Sequence, residues 1–160
     1  MKHFAKLIIF VVTLFLVTSS YANYNTHLKT NILDLSDPVV REAIKSWVVK
    51  NSCGKPNDVD MMLDLVGVHS QQKNLNPYLV IGLIRQESCF YTKARSNMNA
   101  QGYMQVIPRW HPEKIKGRSL YNPTVGIDVG TQVMREYIDK YGEVKGLKVY
   151  SGGAKSYYNG

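Results

Sequence analysis

Apolar side chains recur at helical spacing in several stretches of this chain. Val40, Ala43, Ile44, Trp47 and Val48 follow Asp37-Pro38, a cap and a first-turn proline, and predict a helix ending near Asn51. Gly54 and Pro56 make the turn after it. Met62, Leu63, Leu65, Val66 and His69 mark the inner side of a second helix, capped by Asn57 or Asp58 and fading into the polar run Ser70 to Asn74. Asn76-Pro77 opens a third helix, striped by Leu79, Val80, Leu83 and Ile84. A long helix begins at Pro123, with Ile127, Gly130, Val133, Met134, Tyr137, Ile138 and Tyr141 on one side and Gly142 at its end. Gly130 within that stripe predicts close helix packing. Glu143 to Tyr150 is a last short helix, closed by Gly152-Gly153.

The intervening segments have no such period. Asn23 to Ser36 is a polar, extended arm, and Thr92 to Gln101 is an Asn- and Ser-rich loop suited to a groove wall. Gly102 to Trp110 is a short apolar piece stopped by Pro108 and Pro112, and Lys114 to Asn122 is another loop. There is no repeat and no strong strand alternation. The pattern predicts a mainly α domain: helices around one hydrophobic helix, with irregular loops forming a cleft.

Glu87 stands out against this pattern. It falls three residues after Ile84 and four after Leu83, on the apolar side of the third helix. A carboxylate there is costly to keep ionised, so its pKa should rise toward the range a general acid needs. The competing reading is a glutamate paired with Arg85 or a lysine on a solvated helix end.

Compartment and charge narrow the setting. Residues 1–22 read as a secretory leader: Lys2 and Lys6, an apolar run from Leu7 to Val17 broken by Thr13, then Ser20-Tyr21-Ala22 at cleavage spacing. The run is short for a membrane span. Residues 23–160 then form one domain. Without the leader the chain keeps 18 basic residues against 12 acidic ones, a net of +6. That excess suits anionic lipid or anionic wall polymer, or serves solubility. The lysines are scattered without a basic block, which argues against nucleic acid. Cys53 and Cys89 are an even pair in an exported chain and suggest a disulfide, with two buried thiols as the alternative. Such a bridge would restrict the unfolded chain by about 4 kcal/mol.

Several chemistries are disfavoured. His69 has no second His or Cys at metal spacing, and there is no HExxH pattern, so neither a metal nor another cofactor is expected. No Ser/His/Asp set is evident, so Ser88 shapes or caps a helix end rather than reacting.

Four spaced pieces together resemble the soluble lytic transglycosylases, lysozyme-like enzymes that cut peptidoglycan. Tyr78 to Ser88 is similar to the family's catalytic helix, with Glu87-Ser88 as its Glu-Ser pair. Ala94-Arg95-Ser96 and Ala100-Gln101-Gly102-Tyr103-Met104-Gln105 resemble its Ala-x-Ser and Gly-Leu-Met-Gln elements. Asn122-Pro123 with Gly126 matches its Asn-Pro helix start, and Val149-Tyr150-Ser151 looks like its Ala-Tyr-Asn motif. The likeness spans roughly residues 74–158 and is nearest to the short, single-domain branch of secretion, conjugation and phage-associated enzymes. Tyr103 stands where Leu is usual, and Ser151 replaces Asn.

The resemblance implies a goose-type, SLT-like helical domain with a substrate cleft. Glu87 would be acid and then base. Ser96, Met104, Gln105, Tyr150 and Ser151 would meet the glycan; Ser88, Gly102 and Tyr103 would support them. Met104 as plain core, and Tyr150 packed at a helix end, are the competing readings. Asp128 and Glu113 sit in no matching motif as second carboxylates. The expected partner is peptidoglycan in the periplasm or cell envelope. Alternatives are a hydrolytic goose-type-like muramidase, or a non-catalytic wall-binding subunit of a secretion, conjugation or phage machine.

Overall fold

Four helices begin with the same local device, an Asp or Asn side chain that accepts backbone N–H groups of the first turn. In the computed structural model, which describes residues 34–54, 56 and 58–152, these are α1 (Pro38–Asn51), α2 (Val59–Gln72), α3 (Pro77–Ser88) and α5 (Pro123–Tyr141). Their caps are Asp37, Asp58, Asn76 and Asn122. In α1, α3 and α5 a proline follows the cap, where its missing N–H leaves no bond unmade. A short 3₁₀ turn (Pro108–Trp110), α4 (Pro112–Ile115) and α6 (Glu143–Tyr150) complete the helices. The expected leader over 1–22 and nearly all of the polar arm lie outside the described residues.

The core forms where α2, α3 and α5 face one another. α2 supplies Met62, Leu63 and Val66; α3 supplies Val80, Ile81, Leu83 and Ile84; α5 supplies Ile127, Val129, Val133 and Met134. α1 adds Val48. Among the described residues the backbone forms isolated antiparallel bridges, Arg95 with Gln101 and Gln101 with Val106, but no strand.

Two expected boundaries move. α2 runs on to Gln72 through the polar stretch, because Ser70 turns inward and is buried. The loop expected from Lys114 is helical in its first two residues. Pro112 opens a turn of α-helix there, and buried Ile115 anchors it.

The loop after α3 is seated on α5 by close approach. Met104 is fully buried and lies over Gly130, where an added Cβ would come within 2.6 Å of the Met104 Cβ. Gly102, at φ +76°, lies against the Leu120 carbonyl and leaves no room for a side chain. The close helix packing expected at Gly130 is not what meets it: the nearest atoms belong to a loop side chain, Met104.

These contacts set opposite expectations for two helical glycines. Gly130→Ala should lower unfolding free energy by about 1–3 kcal/mol, since the Met104 Cβ cannot swing away. Gly67→Ala on α2, where an added Cβ meets nothing within 4 Å, should raise it by about 0.5–1 kcal/mol. Urea unfolding of both variants checks the pair.

Candidate active site

Glu87 occupies the last turn of α3, half-buried, on the side carrying Val80, Leu83 and Ile84. Burial is the main influence on its carboxyl and pushes its pKa up; a hydrogen bond with the Ser151 side chain pulls part of the way back. Its partner among the described residues is therefore a hydroxyl at the end of α6, and no ion pair with Arg85 or a described lysine forms. Ser88 beside it is buried and donates through Oγ to the Ile84 carbonyl at 3.0 Å. That bond closes the helix end, as expected for a serine that does not react.

The backbone turns sharply after Ser88. Cys89 (φ 51°) and Phe90 (φ 65°) both adopt left-handed conformations without being glycine. Each such residue costs on the order of 1–3 kcal/mol and persists only where its surroundings fix it. Cys89 is bridged to Cys53, so the disulfide forms. Phe90 is buried, with the Trp47 ring edge-on at 5.9 Å.

α6 carries the other polar groups. The Tyr150 hydroxyl donates to the Met104 carbonyl at 2.8 Å, and its ring meets Tyr137 edge-on at 6.1 Å. Burial first, and then the nearby Glu87 charge, raise the Tyr150 pKa well above the usual phenol range, so the hydroxyl stays protonated. Tyr150 thus ties α6 to the loop that carries Met104, next to Glu87.

The loop residues divide by role. The Ser96 hydroxyl accepts from the Met98 and Ala100 amides at 3.2 and 3.1 Å, which leaves its own O–H to donate. Gln105, at φ 47°, donates its amide to the Ala94 and Gly102 carbonyls at 3.0 and 2.9 Å, so its side chain chiefly braces the loop. Met104 was expected along the groove; its side chain is instead 0% exposed, because the seat at Gly130 accommodates it. Tyr103 is buried, and burial pushes its hydroxyl up to about 12.

The remaining acidic candidates are engaged elsewhere. Asp128 sits between Lys73 (3.1 Å), His69 (3.6 Å) and Arg118 (3.8 Å), and also accepts from Gln132 at 2.9 Å. These partners outweigh its burial and lower its pKa. His69 is part of this cluster; burial, then Lys73, lowers its pKa. Glu113 is exposed and paired with Lys114 at 2.7 Å. Among the described residues no group of three or more His, Cys, Asp or Glu side chains could hold a metal ion. Sequence patterns alone missed the Trp47–Phe90 contact. Its trace was the aromatic at helical spacing in α1 and the phenylalanine ending the Glu87 stretch.

A carboxyl group held above its ordinary range makes the fold less stable as pH rises. Native Glu87 keeps its proton where the unfolded chain loses it, so stability falls from the unfolded pKa up to the folded one. Glu87→Gln removes that loss. The variant should unfold at a higher temperature than the parent at pH 7 and at nearly the same temperature at pH 4, which calorimetry at the two pH values checks.

Comparison with known proteins places these motifs. The family model for the transglycosylase SLT domain matches residues 64–159. A transglycosylase of Enterobacteria phage PRD1 is 35% identical over 91 residues, covering 56% of this chain and 34% of that protein. Membrane-bound lytic murein transglycosylase C of Actinobacillus pleuropneumoniae is 35% identical over 89 residues, 49% of this chain and 24% of that one. The matches thus span about a third and a quarter of these relatives. The X-ray structure of an inactive mutant of lytic transglycosylase Slt from Pseudomonas aeruginosa superposes with a TM-score of 0.53 at 22% identity, covering 56% of this chain and 16% of that one. The helical fold is therefore the lysozyme-like one expected from the motifs, and with more than half its length matched the chain belongs to the transglycosylase SLT domain family.

Proposed function

We propose that this chain cleaves peptidoglycan as a lytic transglycosylase, with Glu87 as its one acid and base. The observation that carries this reading is a half-buried carboxyl whose pKa is raised by burial and whose hydrogen-bonding neighbour is an uncharged serine. Asp128 and Glu113, the other carboxylates considered, are paired with cations instead. A two-carboxylate hydrolysis finds no support in that arrangement. The relatives named lytic murein transglycosylases support murein as the substrate.

The chemistry then runs on one side chain. Glu87 gives its proton to the oxygen linking N-acetylmuramic acid to N-acetylglucosamine as the bond from C1 breaks. The acetamido oxygen of the muramic residue stabilises the positive C1. Ionised Glu87 next takes the proton of the muramic C6 hydroxyl, whose oxygen bonds to C1. The products are a 1,6-anhydro end and a free N-acetylglucosamine hydroxyl; no water is consumed and Glu87 is protonated again. Tyr150 stays neutral beside it and adds no charge to the site. Ser96 and Ser151 contribute hydroxyls to glycan binding, and Gln105 contributes its amide oxygen.

The setting follows from the same reading. A leader over residues 1–22 and a disulfide suit export to the periplasm or cell envelope. Local opening of the wall for a secretion, conjugation or phage apparatus fits the phage relative.

Glu87→Gln should cut clearing of purified sacculi by about 10²- to 10⁴-fold while sparing binding. Mass spectrometry of digests by the unaltered protein should find anhydro-muramyl ends. Reducing ends would make it a muramidase, and binding without any cleavage would make it a wall-binding subunit.

A further inference from the structure

α1 lies ahead of the stretch matched by the family model, which begins at residue 64. It nonetheless reaches the end of the helix that carries the acid. Cys53, two residues past α1, is bridged to Cys89, which directly follows Ser88. Trp47 on α1 sets its ring edge-on to Phe90, at 85° between planes. Phe90 is 1% exposed and Trp47, at 43%, covers its outer side.

The two anchored residues are the two consecutive ones with left-handed backbone. Non-glycine residues hold that conformation only where the surroundings over-determine it. Here a covalent link fixes the first and an aromatic contact the second. Both lie within three residues of Glu87, where the chain leaves α3 for the loop that holds Met104 and Gln105.

We propose that α1 is a positioning element for Glu87: the Cys53–Cys89 bridge and the Trp47–Phe90 contact together hold the left-handed turn that ends α3, and through it the direction of the Glu87 carboxyl. The ion pairs of α1 do a different job. Arg41 bonds Asp60 and Asp64 at 3.0 and 2.8 Å, and Lys45 bonds Asp60 at 2.9 Å, which hold α1 to α2 at a partly exposed surface. Among the described residues, the groups coupled to the Glu87 carboxyl are Ser151 and Tyr150, both at the end of α6. α1 therefore acts on the acid through geometry and water exclusion rather than through a charge of its own.

The inference rests on Glu87 being the acid. A test combines the double substitution Cys53→Ala with Cys89→Ala, and separately Trp47→Ala, in the full chain. Turnover on purified peptidoglycan is measured well below each variant's unfolding temperature, and the Glu87 carboxyl is titrated by carbon-13 NMR. Each change should lower kcat about 10- to 100-fold with little change in KM. The Glu87 titration should move to lower pH, because a loosened turn admits water to the carboxylate. Trp47→Phe, which keeps an aromatic edge, should restore both. Variants that only unfold at lower temperature, with kcat and the Glu87 titration unchanged, would overturn the proposal. If the bridge-less protein does not fold, Trp47→Ala decides by the same readouts. Should Glu87→Gln retain activity, the acid assignment fails, yet the carboxyl titration still decides whether α1 positions that side chain.

Discussion

A carboxyl group gives up its proton less readily when the loss of hydration outweighs the help of its neighbours, and at Glu87 burial is the larger influence. The apolar stripe of α3 withdraws the group from water without isolating it. Its neighbours mark the range along the helix: Gln86 one position earlier is exposed, and Ser88 one position later is buried, with Glu87 between them. The proposed chemistry asks nothing further of α3 than that position and that dryness.

Dryness at the end of a helix depends on what covers it. Here the cover is a loop seated on α5 and tied to α6. Met104 fits because Gly130 has no side chain, and its carbonyl takes the Tyr150 hydroxyl from a residue 46 positions away. Gln105 braces the same loop with both amide bonds. The resemblance to known relatives therefore marks residues of two kinds. Some keep a polar group to offer, as Ser96 does with its O–H, and others, like Met104, hold the loop in place from behind.

Helix starts were the most legible part of the chain, because Asp37, Asp58, Asn76 and Asn122 act on amides two or three residues away. The side on which Glu87 falls was legible for the same reason: it follows from local spacing. The left-handed backbone at Cys89 and Phe90 was not, since neither residue favours it and partners beyond the helix impose it. The burial of Met104 depended likewise on a glycine in a different helix. The cluster around Asp128 joins His69, Lys73 and Arg118 across chain separations that no motif encodes. Pairing of Cys53 with Cys89 needed only the compartment and an even count.

The described groups that act on the Glu87 carboxyl are uncharged. Ser151 offers one hydroxyl, and Tyr150 is itself held protonated by burial and by Glu87. A cation in either place would favour the carboxylate and leave no proton to give, as happens at Asp128 beside Lys73. The hydrogen bond from Ser151 does lower the Glu87 pKa, but less than burial raises it. One hydroxyl thus contacts the carboxyl while its pKa stays above the ordinary value. A group that must give a proton and then take one back needs both states within reach, and a weak neutral donor in a half-dry site supplies that balance.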